Sequence, residues 1–281
     1  MERRILCTLL LGTALLCTAV PATAQPLWVD IQDQSNISFE WLKSSYEFSN
    51  ADFSFFTSTV YLSGSFVVSP SFRIIADIPF SSFSASYEGF FSSSVDESGS
   101  VLGNPYVGAE FGNDEMTFFA EGGIRLPTVN HNSFEERDAA ELGAVADIMR
   151  YPAFVDDYIP MSIMLNGQPM WQGGKMRLRL RFGGWFFIPN EKHLDGETFF
   201  ILGAYYTYDN RDFIVRIGYT GAINSEAEIN FFDAWLDEFG VAVQKPFGDW
   251  VPGIMLRFPM GEPLNDFVNY TLGLNVAYRI R

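Results

Sequence analysis

From Lys175 to Phe182 the chain alternates a cation with an apolar residue. Lys175, Arg177, Arg179 and Arg181 share one parity; Met176, Leu178, Leu180 and Phe182 share the other. A period of two sends successive side chains to opposite faces of a strand. This strand must therefore separate two surroundings of very different polarity. A soluble sheet with one face on a core does that, and so does the wall of a membrane barrel.

Twelve segments carry strand character: 36–46, 55–68, 71–83, 103–112, 115–126, 158–170, 175–188, 197–208, 211–222, 235–246, 250–259 and 267–281. The tight turns are Ser69-Pro70, Asn113-Asp114, Gln172-Gly173-Gly174, Asp209-Asn210 and Phe247-Gly248-Asp249, all of good turn chemistry. Between them fall longer connections at 84–102, 127–157, 189–196, 223–234 and 260–266. Short turns at one end and long loops at the other are the pattern of outer-membrane barrels. The alternation recurs along the chain: Phe72, Ile74, Ile78 and Phe80 oppose Arg73 and Asp77, and Phe118, Ile124 and Leu126 oppose Glu121 and Arg125. The segment 197–208 is apolar on both parities and leaves its facing open.

Barrel diameter grows with strand number, and twelve strands enclose more space than one layer of side chains fills. A soluble barrel with the apolar parity inward is therefore disfavoured. With that parity outward, each Arg or Lys turned wrongly to mid-bilayer would cost ~2–4 kcal/mol, which fixes the orientation. Aromatics agree. Phe72, Phe111, Tyr208, Trp250 and Tyr278 sit near the short turns, and Phe80, Phe186, Tyr219 and Phe258 near the long loops. Two girdles are expected of a membrane wall. The predicted fold is all-β, a transmembrane up-and-down antiparallel β-barrel of about 12 strands, with a secreted β-sandwich as the alternative.

The first 24 residues read as a secretory signal peptide: Arg3 and Arg4, an apolar stretch from Ile5 to Val20, and Ala22-Thr23-Ala24 as the cleavage signal. A lipoprotein reading at Cys17 is weak, because Ala14-Leu15-Leu16 is a poor approach to a lipidated cysteine. Residues 25–281 then form the barrel, and both cysteines, Cys7 and Cys17, leave with the signal. The expected location is the outer membrane of a Gram-negative-type bacterium, with its lipids and the barrel assembly machinery as partners. The remaining chain carries 16 Lys+Arg against 33 Asp+Glu, a net charge of −17 (from 18 and 34, less Arg3, Arg4 and Glu2). Such a surface argues against nucleic acid, which needs a basic footprint.

The inward parity carries both signs. Lys175, Arg177, Arg179 and Arg181 are joined by Arg73, Arg125, Arg216, Arg257 and Arg279, against Glu40, Asp77, Glu110, Glu121 and Asp212. Either the set forms transverse ion pairs filling a narrow lumen, or it lines a cationic path favouring anionic solutes. Glu110 and Glu121 are the candidate partners of the ladder, and pairing is the favoured case. Segment 127–157 holds one expected helix, with Ser133 and Glu136 as a capping box before an Ala-rich stretch from Ala139 to Met149. It lies either in a long extracellular loop or inside the lumen as a plug, since Leu142, Val145, Ile148 and Met149 need burial. The loop acids Glu135, Glu136, Asp138, Glu141, Glu226, Glu228 and Asp233 read as a solvated rim, without the ligand spacing of a calcium site.

Catalysis gets little support, and no cofactor is expected. His131 and His193, the only histidines, fall in predicted loops, and His131-Asn132-Ser133 cannot close on itself as a triad. The Asp156-Asp157 pair reads as loop.

The succession Ser69–Phe80, then Gly103-Asn104-Pro105-Tyr106-Val107-Gly108, then Gly123-Ile124-Arg125-Leu126-Pro127-Thr128, resembles outer-membrane transporters of the meta-pathway phenol-degradation family. Asn104-Pro105 stands where that family has an acidic position, and Val129 where it has a glycine. The last strand is similar to an outer-membrane assembly signal but ends Arg279-Ile280-Arg281 rather than in phenylalanine. The resemblance implies a barrel passing small, often hydrophobic molecules, with no catalytic residues. The expected function is a channel or transporter for passive passage of a small solute, hydrophobic or anionic. A structural or adhesive barrel is the alternative, and an outer-membrane hydrolase a more distant one.

Overall fold

A computed structural model describes residues 34–46, 53–88, 94–112, 117–129, 133–190, 194–225, 235–261 and 264–280. The expected signal peptide, His131, His193 and Glu226, Glu228 and Asp233 lie outside these residues. The strands are β1 (Ser35–Tyr46), β2 (Phe53–Ser69), β3 (Phe72–Glu88), β4 (Ser94–Leu102), β5 (Tyr106–Phe111), β6 (Phe118–Arg125), β7 (Tyr158–Gly167), β8 (Met170–Trp171), β9 (Met176–Pro189), β10 (Glu197–Asp209), β11 (Ile214–Asn224), β12 (Trp235–Gln244), β13 (Trp250–Pro259) and β14 (Val268–Ile280). Among the described residues one α-helix, α1 (Phe134–Ala146), precedes a 3-10 segment at Ile148–Ala153.

Every ladder is antiparallel, and the sheet closes where β1 pairs with β14, from Ser35↔Ile280 to Tyr46↔Val268. The result is a closed barrel of 12 strands. Two of the fourteen segments do not add staves. β4 and β5 pair with successive halves of β3, and β8 is a two-residue extension at the β9 turn. The short turns and both strand termini share one rim, and the long connections share the other.

The two parities meet different surroundings. On β9, Arg179 and Arg181 are 5 % and 3 % exposed, whereas Leu180 and Phe182 are 49 % and 55 % exposed. The same outward apolar belt runs through Phe39, Leu62, Ile78, Leu165, Leu202, Ile217, Ile254 and Leu274. A water-soluble barrel would not present such a belt continuously; a lipid-facing wall must. Aromatic pairs reinforce the short-turn rim, with Phe72 against Phe111 at 5.4 Å and Trp250 against Tyr278 at 4.9 Å.

Two expectations are corrected. The connection 84–102 is largely strand, since β3 continues to Glu88 and β4 returns from Ser94. The strand expected at 103–112 begins only at Tyr106, because Gly103-Asn104-Pro105 interrupts it. Pro105 has no N–H to give a ladder, and Asn104 is committed elsewhere. The doubly apolar segment, now β10, also finds its reason. Phe200 and Leu202 face outward, while Phe199, Ile201 and Tyr205 are buried against material inside the barrel.

Candidate functional site

The material inside comes from the connection between β6 and β7, of which residues 126–129 and 133–157 are described. It turns inward at Asn104, whose Oδ1 accepts from the Thr128 and Val129 amides at 2.9 and 3.0 Å. The Asn104 Nδ2 donates to Val155 O at 2.6 Å, and its amide donates to Ala153 O at the same distance. One side chain thus ties both ends of the segment to the kink in the wall. Ser133 caps α1, accepting from the Glu136 amide at 3.3 Å. Ala139, Ala140, Gly143, Ala144 and Ala146 are the buried face of α1. Small residues are needed there: a Cβ on Gly143 would lie 2.7 Å from the Ser81 Cβ. The Ala-rich composition therefore records a helix pressed against the inner wall rather than one lying on the outside.

At Asp147 the helix ends and the chain drops into a buried charge network. The Arg150 guanidinium takes the Glu40 carboxylate of β1 bidentately, at 2.8 and 3.0 Å, and donates from Nε to Asp147 at 2.7 Å. It also lies 3.5 Å from the centroid of the Tyr61 ring. Asp147 reaches Arg257 of β13 at 3.0 Å, and Arg257 lies 3.5 Å from Glu238. Arg257 approaches both carboxylates without an aligned hydrogen bond, so charge rather than geometry holds it. Glu40, Arg150, Asp147, Arg257 and Glu238 alternate in sign and link the inserted segment to one side of the wall, from β1 past β14 to β13 and β12.

The expected lumen residues distribute as follows. Glu121 on β6 receives both Arg179 and Arg181, and Arg179 also donates to Asn166 at 2.9 Å. Glu110, the other candidate partner, lies 3.6 Å from Arg73, and Arg125 pairs with Asp77 at 2.9 Å. Arg177 lies 3.9 Å from Asp209, and Arg216 donates to Thr207 at 2.9 Å. Lys175 belongs to the turn before β9 and is exposed, as is Asp212, so neither lines the lumen. Arg279 is half-buried near the short-turn rim. The two charges that pin the inserted segment, Asp147 and Arg150, were not among the expected site residues. Their signal was a charged pair bracketing Ile148-Met149 inside a loop, which is costly unless the loop is buried with partners. Below this level the wall offers Ser38, Ser63 and Ser65, buried hydroxyls without a protein partner. Such groups suit water.

Above the network, on the long-loop side, lies a cleft of about 810 Å³ between α1 and residues 151–157. Phe134, Val145 and Tyr151 supply apolar surface, and Glu141, Asp156 and Asp157 supply carboxylates. The Tyr151 ring stacks on Trp185 at 6.3 Å and touches Phe199 at 5.9 Å. Burial, and then the carboxylates of Glu197, Glu141 and Asp156, push the Tyr151 hydroxyl above its ordinary pKa. A smaller cleft of about 370 Å³ lies beside Lys43, Tyr46 and Tyr270. Among the described residues there is no cluster of three metal-ligand side chains.

A closed antiparallel barrel with an apolar outer belt and a charged, filled lumen defines a transmembrane β-barrel of the outer-membrane type. Solved structures agree on the fold. The chain is similar to an outer membrane channel from Pseudomonas putida F1, at 13% identity and a TM-score of 0.58, over 92% of this chain and 100% of that one. It is also similar to the NanC porin, at 10% identity and a TM-score of 0.51, over 88% of this chain and 100% of the porin. The sequence matches no protein-family model and no curated protein.

Proposed function

We propose that the protein is an outer-membrane channel for passive passage of a small solute, held closed in this conformation by the inserted segment. The signal-like leader and the lipid-facing belt support export to the outer membrane. The fold shared with a channel and a porin supports transport rather than catalysis, and the resemblance over residues 69–128 supports a small, partly hydrophobic solute. The observation that carries the reading is the network on Arg150: a segment inside the barrel is pinned to the wall by buried charges from β1 and β13, on either side of β14. The arginine ladder meets Glu121 rather than standing open: Arg179 and Arg181 share that one carboxylate, which offsets half of their charge and reduces the anion preference an open ladder would give.

The test is conductance in a planar bilayer, comparing the parent with a variant in which residues 130–156 are replaced by a short Gly-Ser linker. The parent should conduct rarely or weakly and the variant steadily. Equal conductance in both would remove the plug, and silence in both would make the barrel structural.

A further inference from the structure

We infer that a small cavity between the inserted segment and the wall is a binding site for one small inorganic anion, a halide. The cavity has a volume of about 20 Å³. A single water needs ~10–15 Å³, so the space takes one monatomic ion or a particle little larger than water, and no sugar or aromatic acid. Arg181 of β9 carries the argument. Its guanidinium is 3 % exposed and is held at one nitrogen, Nη2, which donates to Glu121, a carboxylate that Arg179 also takes. The Nε and Nη1 donors have no partner among the described residues. Charged donors buried without an acceptor are costly, and the cavity that Arg181 lines is where an acceptor fits.

The rest of the lining selects the sign of the occupant. A second guanidinium, Arg125, has its own carboxylate in Asp77 at 2.9 Å, and no Asp or Glu is among the described residues that line the cavity. Ser162 adds a hydroxyl, which shares a hydrogen bond of 3.3 Å with Tyr106. Trp185 and the thioethers of Met161 and Met164 make the wall apolar elsewhere. A cation would meet two guanidiniums. A water would have to give away two hydrogens where the side chains offer only hydroxyl oxygens and thioethers. An anion accepts from Arg181 and gives nothing away, and the apolar walls strengthen the attraction. Met149 and Pro152 close the cavity from the inserted segment, while β6, β7 and β9 supply Arg125, Ser162 and Arg181. The site is complete only with the segment in place. Given the plug of the proposed channel, on which this last step rests, a bound halide favours the closed conformation.

Crystals of the protein grown in bromide should show an anomalous peak in this cavity, in contact with Arg181. Bromide found only elsewhere, or nowhere, overturns the site. In non-ionic micelles the urea midpoint of unfolding should rise saturably as chloride replaces gluconate, an anion too large for the cavity, at constant ionic strength. Arg181→Met keeps an aliphatic stem and leaves Glu121 to Arg179, and it should raise the chloride concentration for half effect about tenfold or more. Replacing residues 130–156 by the linker should abolish the chloride effect. A parent midpoint indifferent to the exchange overturns the assignment, as does a chloride response unchanged in Arg181→Met or in the linker variant. Heat-modifiable gel mobility checks that Arg181→Met folds; if it does not, the bromide position in the parent decides alone. Silence in the bilayer experiment bears only on the channel and leaves these results intact.

Discussion

Replacing Arg150 with alanine separates two ways a barrel can hold a plug. Arg150 makes three charge-assisted hydrogen bonds, two to Glu40 and one to Asp147, and Glu40 is fully buried. Removing one member of a buried pair costs ~3–5 kcal/mol, because the survivor keeps its desolvation penalty without its partner. That cost falls on the closed conformation alone. Once segment 126–157 leaves the lumen, Glu40 is hydrated and nothing is lost. The closed-to-open ratio should therefore fall by about 10²- to 10³-fold or more, at 1.36 kcal/mol per factor of ten. Single-channel recording should show Arg150→Ala open for most of the record. Glu40→Gln should open far less, because Arg150 retains Asp147. The barrel itself, held by its ladders, should keep its heat-modifiable mobility. If Arg150→Ala is as closed as the parent, the network does not hold the plug. If it opens but melts with the barrel, plug and wall are one cooperative unit.

Arg179→Ala should cost less, about 1–3 kcal/mol in refolding titrations, because Glu121 keeps Arg181; a loss as large as that of Arg150→Ala would mean the two arginines do not share the carboxylate. Ser133→Ala should raise hydrogen exchange in the first turn of α1 by an amount corresponding to ~0.5–2 kcal/mol, with the strand amides unchanged. Leu180→Arg places a charge on the outer belt and should disfavour insertion into vesicles by ~2–4 kcal/mol, whereas a neutral effect would refute the lipid-facing assignment.

The wall was legible in the sequence because its signal repeats. Each strand states the same alternation, so an error of a residue or two at an end leaves the orientation intact. The inward sites followed from parity: Arg179, Arg181 and Glu121 are joined in space because all three sit on the lumen side of β9 and β6. What parity could not give was the lumen's contents. Whether Ala139–Met149 lay outside or inside depended on partners from β1 and β13, distant in sequence, and no local pattern pairs Arg150 with Glu40. The same ignorance left β10 ambiguous. Its inner face is apolar because it covers a plug, a reason absent from the strand itself. Residues 84–102 were misjudged because the outward parity there turns from apolar to Ser82, Ser84, Ser86, Ser98 and Ser100, while the buried parity of Phe83, Ala85 and Val101 packs inside, so the lipid-facing signal stops before the strand does.

The closing seam between β1 and β14 joins the two ends of the chain, and it is spanned on the inside as well as along the wall. Arg150 grips Glu40 on β1, while its neighbour Asp147 reaches Arg257 on β13, the stave beyond β14. The inserted segment is thus a cross-tie over the join. Any force that parts β1 from β14 must lengthen Glu40–Arg150–Asp147–Arg257 as well as break the ladder. With the tie removed, hoop stiffness at that line falls to that of the ladder and the Ser44–Thr271 hydroxyl pair at 2.9 Å. An emptied lumen would make the barrel mechanically anisotropic, with its softest axis running along the seam.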